Sequence, residues 1–191
     1  MGIKDSITQL EKDGSIYLSR TVAPGSEAKL VDAVAISAYS NDRAYEGCAR
    51  CVLAALNEHL RLTSEKGFDE CIKASTAIAA GIARMGETCG ALVGGVMALG
   101  LEFGSEDMSR FDKYTETMLI SRELFCRFRD HFGTVKCSEI QENLLGRRYN
   151  FFKDEDRDAW YQEGGLDKCP GVCATAGAMT AEIILARRVK E

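Results

Sequence analysis

The chain has 191 residues and a mass of 20.9 kDa; 46% of its residues are hydrophobic and 28% are charged. These proportions are typical of a globular domain and exclude wholesale disorder and a fibrous repeat. A net charge of −5 and a pI near 5.2 argue against a nucleic-acid-binding protein, whose affinity would depend on a basic face. The unusual quantity is eight cysteines, because a domain of this size can bury a sufficient core without disulfides.

The first residues and the apolar runs indicate the cellular compartment of the protein. Residues 1–8 contain no positively charged stretch followed by an apolar segment, so no secretory signal is visible. The longest apolar run, Ala91 to Leu101, has 11 residues, and a helix that spans a bilayer needs about 20. We therefore predict a cytoplasmic protein without a membrane span. In that compartment cysteines are more often catalytic, metal-binding or simply buried than disulfide-bonded.

Helical periodicity dominates the chain between its two prolines, Pro24 and Pro170, and predicts an all-α fold. Residues 1–24 are polar and irregular and are interpreted as an extended N-terminal arm, whereas residues 25–191 are interpreted as one helical domain. We expect a single-domain bundle of about six to seven helices. In chain order the predicted helices are 26–39 (capped by Ser26), 41–60 (capped by Asn41 or Asp42), 68–84, 89–101 (capped by Thr88), 108–132 or 112–132, 137–145 and 171–189, and residues 146–168 form a loop.

Two predicted helices have features that bear on packing. Helix 89–101 contains three glycines, which cost about 1 kcal/mol each relative to alanine and therefore indicate tight packing against Gly94, Gly95 and Gly100. Helix 112–132 is amphipathic. Its apolar stripe, which we expect to be buried, consists of Tyr114, Met118, Leu119, Leu124, Phe125, Phe128 and Phe132.

Two pairs of cysteines lie close together in the sequence. Cys48 and Cys51 form a C-x-x-C pair on one face of a predicted helix. Attachment of a c-type haem would need histidine at position 52, which is valine, and a thioredoxin-like site would need the pair at a helix start after a strand. Cys169 and Cys173 form C-x-x-x-C, so the two pairs do not match the spacing of zinc knuckles.

Three cysteines lie near predicted helix starts. Cys89 follows Gly86-Glu-Thr, so unpaired backbone N–H groups and the helix dipole favour its thiolate form. Cys137 and Cys169 each follow a lysine, which favours the thiolate in the same way. The two cysteines predicted inside helices are interpreted as core residues: Cys71 and Cys126.

The ordered cysteine set resembles the redox-active protein family labelled C_GCAxxG_C_C. The hallmark of that family is four cysteines with a C-G-A-x-x-G motif, which is Cys89-Gly-Ala-Leu-Val-Gly94 in this chain. The resemblance extends from about Ala44 to Ile184, and residues 47–56, 86–101, 128–137 and 169–172 carry it. It implies that residues 25–191 form a four-cysteine redox domain and that the family cysteines are Cys48, Cys89, Cys137 and Cys169.

This family is similar to the cluster-binding part of split-Soret cytochromes, dimeric proteins that carry the same kind of cysteine set beside haem. The resemblance implies an electron-transfer protein that binds an iron–sulfur cluster, [2Fe–2S], through the four family cysteines and works with a redox partner protein, as a homodimer. Haem is not expected, since its attachment sites are absent. Two further cysteines are alternative ligands, Cys51 for Cys48 and Cys173 for Cys169.

Two other functions stay open at this point. The same four cysteines could form two reversible disulfides in a thiol–disulfide oxidoreductase, or the protein could be a non-catalytic binding or scaffold module whose cysteines are core residues. Whether the protein is an enzyme is undecided. A polar segment with Arg147, Arg148, Trp160 and Tyr161 is either a solvated loop or a surface for a partner.

Overall fold

The computed structural model describes residues 26–188. In this range the regular structure consists of eight helices and one isolated β-bridge, which confirms the all-α prediction with one or two more helices than expected. The predicted arm, residues 1–24, lies outside the described residues. The helices are α1 (Ser26–Tyr45), α2 (Cys48–Leu60), α3 (Glu65–Ser75), α4 (Gly90–Phe103), α5 (Phe111–Phe132), α6 (Cys137–Leu145), α7 (Asp154–Gln162) and α8 (Gly165–Arg188).

Helix α8 is the centre of the fold and is buried continuously from Pro170 to Leu185. It packs against α1, α2, α4 and α5, so it is surrounded by other helices and is apolar on all sides rather than along one stripe. Within residues 26–188 it is also the one helix long and apolar enough to cross a membrane. However, 89% of its most apolar stretch is buried inside the protein, as in the core helix of a globular fold.

In the first turn of α8, a side chain from another helix replaces the backbone hydrogen bond that Pro170 cannot make. Proline has no N–H, so the carbonyl of Leu166, four residues earlier, loses its helical partner. The Arg43 guanidinium of α1 donates to this carbonyl at 3.2 Å and to the Asp167 carboxylate at 2.5 Å. The predicted start at residue 171 is therefore wrong, because Arg43 allows the helix to begin at Gly165, before the proline.

Glycines allow α4 to lie close to its neighbours. A Cβ on Gly94 would be 2.4 Å from the carbonyl oxygen of Ala49 in α2, and one on Gly95 would be 2.5 Å from Thr180 Oγ1 in α8. The predicted tight packing is thus confirmed at these two positions. At Gly100 it is wrong, because a Cβ there would meet nothing within 4 Å.

Several predicted boundaries differ from the structure. Helix α1 continues through Asp42 to Tyr45, so neither Asn41 nor Asp42 is a helix cap, and the next helix begins at Cys48. The third helix ends at Ser75 rather than at Arg84, and α4 is capped by Cys89 rather than by Thr88. The predicted loop 146–168 contains α7 and the start of α8.

The long amphipathic helix is confirmed as α5, and Gly133 ends it in the left-handed conformation. Its predicted buried stripe is only partly correct. Leu124 and Phe128 are completely buried, and Phe132 packs against the core. The remaining members of the stripe are exposed: Tyr114, Met118, Leu119 and Phe125.

Candidate functional site

A cavity of about 260 Å3 lies beside the N-terminal part of α8. Five of the eight cysteines line it: Cys48, Cys89, Cys137, Cys169 and Cys173. The structure therefore brings together all four family cysteines, which are up to 121 positions apart in the sequence (169 − 48), and adds a fifth. All eight cysteines lie within the described residues, and each is a free thiol.

Three of the cavity cysteines lie at helix N-termini. Cys48 is the first residue of α2, Cys89 caps α4 and Cys137 is the first residue of α6. The predicted positions of Cys89 and Cys137 at helix starts are confirmed, but the expected preference for the thiolate is wrong, because burial raises the pKa of both thiols. Cys48 was expected in mid-helix, which is wrong because α1 and α2 are separated at Glu46 and Gly47. At the start of α4 the next backbone N–H groups partly offset the effect of burial on the pKa of Cys89.

A short antiparallel contact holds two of these helix starts together. Thr88 and Lys136 form the isolated β-bridge. Cys89 N–H donates to the Val135 carbonyl at 2.8 Å, and Cys137 N–H donates to the Glu87 carbonyl at 2.7 Å. The positions of Cys89 and Cys137 are thus set by backbone hydrogen bonds and not by flexible side chains alone.

The other two cavity cysteines lie inside α8. Cys169 and Cys173 are four residues apart, so both side chains lie on the same face of the helix. The expectation that Cys169 stands at a helix start is wrong, because α8 begins at Gly165. The sequence assigned Cys173 only as an alternative ligand, and the structure places it in the cavity wall beside the family cysteines.

The segment between α3 and α4 closes one side of the cavity with an unusual backbone. Five consecutive residues, Ala80–Arg84, have positive φ angles between 48° and 75°. Four of them are not glycine, and left-handed backbone costs such residues about 1–2 kcal/mol each. Backbone strain of this kind is found mainly at functional sites, where the surrounding structure enforces it. The Ala80 N–H of this segment is one of the groups that lower the pKa of the Cys48 thiol.

The remaining residue of this left-handed run, Gly81, has no space for a side chain. Gly81 has a φ of +75°, and a Cβ there would be 2.5 Å from the Glu87 backbone nitrogen and 2.8 Å from the Cys137 Cβ. The segment is further tied to α6, because Ser138 donates from both N–H and hydroxyl to the Gly86 carbonyl at 3.0 and 2.9 Å. The strained segment and Cys137 therefore form one closely packed unit.

The pKa values of most cavity thiols are raised. Burial raises the pKa of Cys89 to about 12, and the negative charge of Cys48 acts in the same direction. Burial, together with neighbouring negative charges, also raises the pKa of Cys137, Cys169 and Cys173. With these raised pKa values the thiols stay protonated at neutral pH, although three arginines also line the cavity: Arg50, Arg84 and Arg157. A bound metal would favour their deprotonation.

Cys48 differs from the other cavity cysteines. A hydrogen bond from the Cys173 thiol lowers the pKa of Cys48, and the Ala80 N–H adds to this effect, against burial and the charge of Asp42. Cys48 is also half-buried, whereas Cys173 has a relative exposure of 1%. Cys48 is therefore the cavity thiol whose ionised form the protein stabilises best.

Asp42 is a site residue that the sequence did not reveal. It lines the cavity and is buried, and this burial raises its pKa to about 6, although a hydrogen bond with the Cys173 thiol acts in the opposite direction. The sequence feature that could have identified Asp42 is its position in the helical pattern of α1. Asp42 lies four residues after the buried Ala38, so it continues a stripe of core residues with a carboxylate.

Trp160 is a second cavity residue with an unusual environment. Its side chain has a relative exposure of 7%, and its indole Nε1–H has no hydrogen-bond acceptor of normal geometry within the described part of the chain. The Cys169 thiol lies beside the indole, whose N–H favours the thiolate although burial dominates the pKa of that thiol. Gly165 leaves space for the ring, since a Cβ there would be 2.1 Å from it.

The polar segment, which the sequence leaves as either a solvated loop or a surface for a partner, is divided in the structure. Trp160 is buried and lines the cavity, and Tyr161 lines it as well and donates to the Glu46 carboxylate at 2.7 Å. Arg147 and Arg148 are exposed and lie outside the cavity lining. A role of these exposed residues in binding a partner stays a prediction.

Three cysteines do not line the cavity. Cys51 is buried, and its Sγ donates to the Glu46 carbonyl at 3.1 Å. Cys71 is half-buried against the core, and Cys126 is half-buried on α5. Each can therefore serve as a reference thiol in experiments on the cavity.

The cavity thiols do not converge on a single point. Among residues 26–188, no group of three or more His, Cys, Asp or Glu side chains is placed to hold one metal ion.

Comparison with known proteins gives one match. A sequence model of the family described as "Putative redox-active protein (C_GCAxxG_C_C)" matches residues 46–183. No curated protein and no solved structure matches the chain. The matched range contains the cavity cysteines, the strained segment and most of α8. With the family matched over well over half of its length, the chain belongs to the redox-active protein family C_GCAxxG_C_C.

Proposed function

We propose that this protein is an electron carrier that holds an iron–sulfur cluster, [2Fe–2S], through Cys48, Cys89, Cys137 and Cys169. The observation that supports this proposal most is that these four thiols line one cavity of about 260 Å3. Four cysteine thiolates are the usual ligand set of such clusters, and a bound cluster accepts and donates single electrons. Redox activity agrees with the description of the family.

The residues around the cavity fit a group that carries sulfur and negative charge. Trp160 has a buried N–H donor without an acceptor of normal geometry within residues 26–188, and a cysteine thiolate or inorganic sulfide would provide one. At the start of α4, the backbone N–H groups of Ala91 and Leu92 act as further donors toward the Cys89 sulfur. Such hydrogen bonds to sulfur set the reduction potential of a cluster.

The chain keeps the four thiols close together by using small residues. A Cβ on Gly90, the residue after Cys89, would be 2.5 Å from the Ile78 carbonyl oxygen and 2.9 Å from the Cys48 sulfur. The glycine of the C-G-A-x-x-G motif is thus required for the approach of Cys48 to the start of α4. Val172 and Trp160 then form buried parts of the wall and limit the access of water.

The exposed part of α5 supports a homodimer. Phe111, Met118 and Phe125 are spaced by seven residues and are exposed by 71%, 54% and 38%. An antiparallel second copy centred on Met118 would place each Phe111 against the Phe125 of the other chain, so the stripe is complementary to itself. Met118→Glu is expected to yield monomers in light scattering where the wild-type chain yields dimers; a monomeric wild-type chain would contradict the homodimer.

Anaerobic reconstitution with ferrous iron and sulfide tests the cluster. The wild-type chain is expected to bind iron and sulfide in equal amounts, about two of each, and to develop visible absorption. Cys89→Ser and Cys137→Ser should lose most of the iron, whereas the reference variants Cys51→Ser and Cys71→Ser should keep it. A colourless, iron-free wild-type protein would overturn the proposal, as would equal iron binding in all four variants.

A further inference from the structure

The mouth of the cavity is formed by the lining residues that are also exposed to solvent: Glu46, Thr76, Arg84 and Tyr161. They come from the link between α1 and α2, from the segment between α3 and α4, and from α7. The Tyr161 hydroxyl donates to the Glu46 carboxylate at 2.7 Å and so joins two of these parts. None of the four is a proposed cluster ligand, so the outer surface around the mouth can have a task of its own.

The arginines of the cavity give this surface positive charge. Arg157 is paired with Asp154 at 2.8 Å. Arg50 instead donates to two backbone carbonyls of the preceding turn, at 2.6 and 3.0 Å, and within residues 26–188 neither Arg50 nor Arg84 forms an ion pair. Two uncompensated positive charges therefore lie at the cavity in a chain whose net charge is −5.

Exposed apolar and aromatic side chains lie next to these charges in the sequence. Ile82 and Met85, on either side of Arg84, are exposed by 45% and 65%, and Tyr45, which precedes Glu46, is exposed by 70%. Arginine, tyrosine and methionine are enriched where proteins bind one another, whereas the surface in general is richer in lysine and glutamate. The composition around the mouth is thus typical of a protein–protein interface.

The backbone at Ile82 gives an independent indication. Its φ is 60°, and a β-branched residue in this left-handed region is a rare and costly exception. A buried isoleucine could offset that cost by packing, but almost half of this side chain is in contact with solvent. The stability of the free chain therefore does not explain why isoleucine stands at this position.

We propose that the surface around the mouth docks an acidic protein, an electron-transfer partner that presents carboxylates around an apolar centre. Arg50 and Arg84 attract the carboxylates, and Ile82 and Met85 pack against the apolar centre. The net negative charge of the chain disfavours docking of such a partner on other faces, so the local charge selects this orientation. That the partner is a redox protein rests on the proposed function, whereas the docking of an acidic surface does not.

The size of the surface suits a transient complex. Complexes between redox proteins have small interfaces, so two charges and a few apolar side chains are sufficient to orient a partner. A partner bound there covers the opening through which the cavity meets solvent. On the other side of the cavity, α8 is buried among α1, α2, α4 and α5, which leaves no comparable approach from that direction.

The experiment uses the full-length chain, isotopically labelled and without added iron, in nuclear magnetic resonance titrations. The probe is an acidic plant-type ferredoxin, and the controls are a basic c-type cytochrome and citrate at the same carboxylate concentration. With ferredoxin we expect shifts in the amide signals of residues 45–50, 80–86 and 161, and with either control we expect none of comparable size. Absence of these shifts, or shifts confined to α5, would overturn the inference. Equal shifts with the cytochrome would overturn the charge preference, and equal shifts with citrate would indicate a site for small anions and overturn protein docking.

Charge reversal at the mouth should weaken ferredoxin binding. For Arg84→Glu we expect about a three- to tenfold loss of affinity at low salt and a smaller loss at high salt, because salt screens exposed charges. Arg84→Lys should keep most of the affinity. The matched control is Lys66→Glu, an equal charge change on the exposed start of α3, at the opposite end of that helix from Thr76. Equal losses in Arg84→Glu and Lys66→Glu would show that net charge alone matters and would overturn docking at the mouth.

Ile82→Asn tests the apolar part of the surface. Asparagine adopts left-handed backbone more readily than isoleucine, so the melting temperature of the free protein should not fall, while ferredoxin binding should weaken. A lower melting temperature with unchanged binding would show that Ile82 serves the fold and would overturn its role in docking.

Failure of docking and failure of the proposed function are separable. Docking is measured on the chain without iron, and iron uptake is measured in the reconstitution experiment without ferredoxin. A chain that binds ferredoxin at the mouth but no iron contradicts the proposed function alone, and a chain that binds iron but shows no docking overturns this inference alone.

Discussion

The two ends of α8 lie in different surroundings. At the C-terminal end, Ile183, Ile184 and Met179 are completely or almost completely buried among apolar neighbours. Charged groups there are paired: Glu182 with Arg127, and Arg188 with Glu102 at 2.6 Å. At the N-terminal end the helix instead borders a cavity with five thiols, a buried carboxylate and an indole N–H that lacks an acceptor of normal geometry among residues 26–188.

The difference indicates which end stabilises the fold and which end has a chemical task. A cavity, a left-handed segment and buried polar groups all reduce stability, and a protein keeps them only where the rest of the structure compensates. The C-terminal end of α8 supplies that compensation through close packing. The four predictions that follow test this division, from the largest expected effect to the smallest.

A core truncation at the C-terminal end should have the largest effect on stability. Ile184 is completely buried, so Ile184→Ala should lower the free energy of unfolding by about 2–5 kcal/mol in urea denaturation. The reactivity of the cavity thiols in the folded protein should not change. A comparable loss of stability together with faster modification of Cys48 would show that the two ends are not separate.

Gly81→Ala should disturb both stability and the site. The new Cβ would collide with the Glu87 backbone nitrogen and with Cys137 in a left-handed conformation. We expect a loss of about 1–3 kcal/mol in the free energy of unfolding, together with reduced iron binding on reconstitution. Unchanged stability and iron binding would contradict the close packing of the strained segment on Cys137.

Gly100→Ala provides the matched control for that substitution. Gly100 lies inside α4, and a Cβ there meets nothing within 4 Å. Alanine should therefore stabilise the protein by about 0.5–1 kcal/mol, because it lowers the backbone entropy of the unfolded chain. If Gly100→Ala instead destabilised the protein, the space around Gly100 would be smaller than the structure shows.

Trp160→Phe should have the smallest effect on folding and a specific effect on redox behaviour. Phenylalanine keeps the ring in the wall but removes the N–H, so the reduction potential of a bound cluster should fall while the iron content stays the same. Trp160 is the only tryptophan in the chain, so its fluorescence in the wild-type protein should be quenched when iron enters the cavity. An unchanged potential, or unquenched fluorescence in an iron-loaded protein, would contradict the assigned position of the indole N–H.

The sequence was sufficient to predict those elements in which local signals and packing agree. Helix α6 has the predicted bounds, and α5 ends as predicted at Phe132, because glycines in the left-handed conformation stop both helices at positions 133 and 146. The four family cysteines could be selected because they occur in a fixed order with the C-G-A-x-x-G motif.

Other features could not be predicted because tertiary contacts override the local preference. Residues 77–84 are rich in alanine and favour a helix, yet residues 80–84 are left-handed. Backbone hydrogen bonds within residues 77–87 and the close packing of Gly81 on Cys137 accompany this conformation. The start of α8 depends on a hydrogen bond from Arg43, 123 residues away from Leu166. The presence of Cys173 and Cys48 in one cavity likewise depends on how α8 packs against α2.

The central claim is that one cavity holds an iron–sulfur cluster through four named cysteines. The most direct measurement is a crystallographic anomalous-difference map at the iron absorption edge, recorded from anaerobically reconstituted protein. We predict iron density inside the cavity, bounded by the sulfur atoms of Cys48, Cys89, Cys137 and Cys169. Iron density elsewhere on the chain would contradict the claim. An empty cavity in crystals of protein that binds iron in solution would contradict it as well.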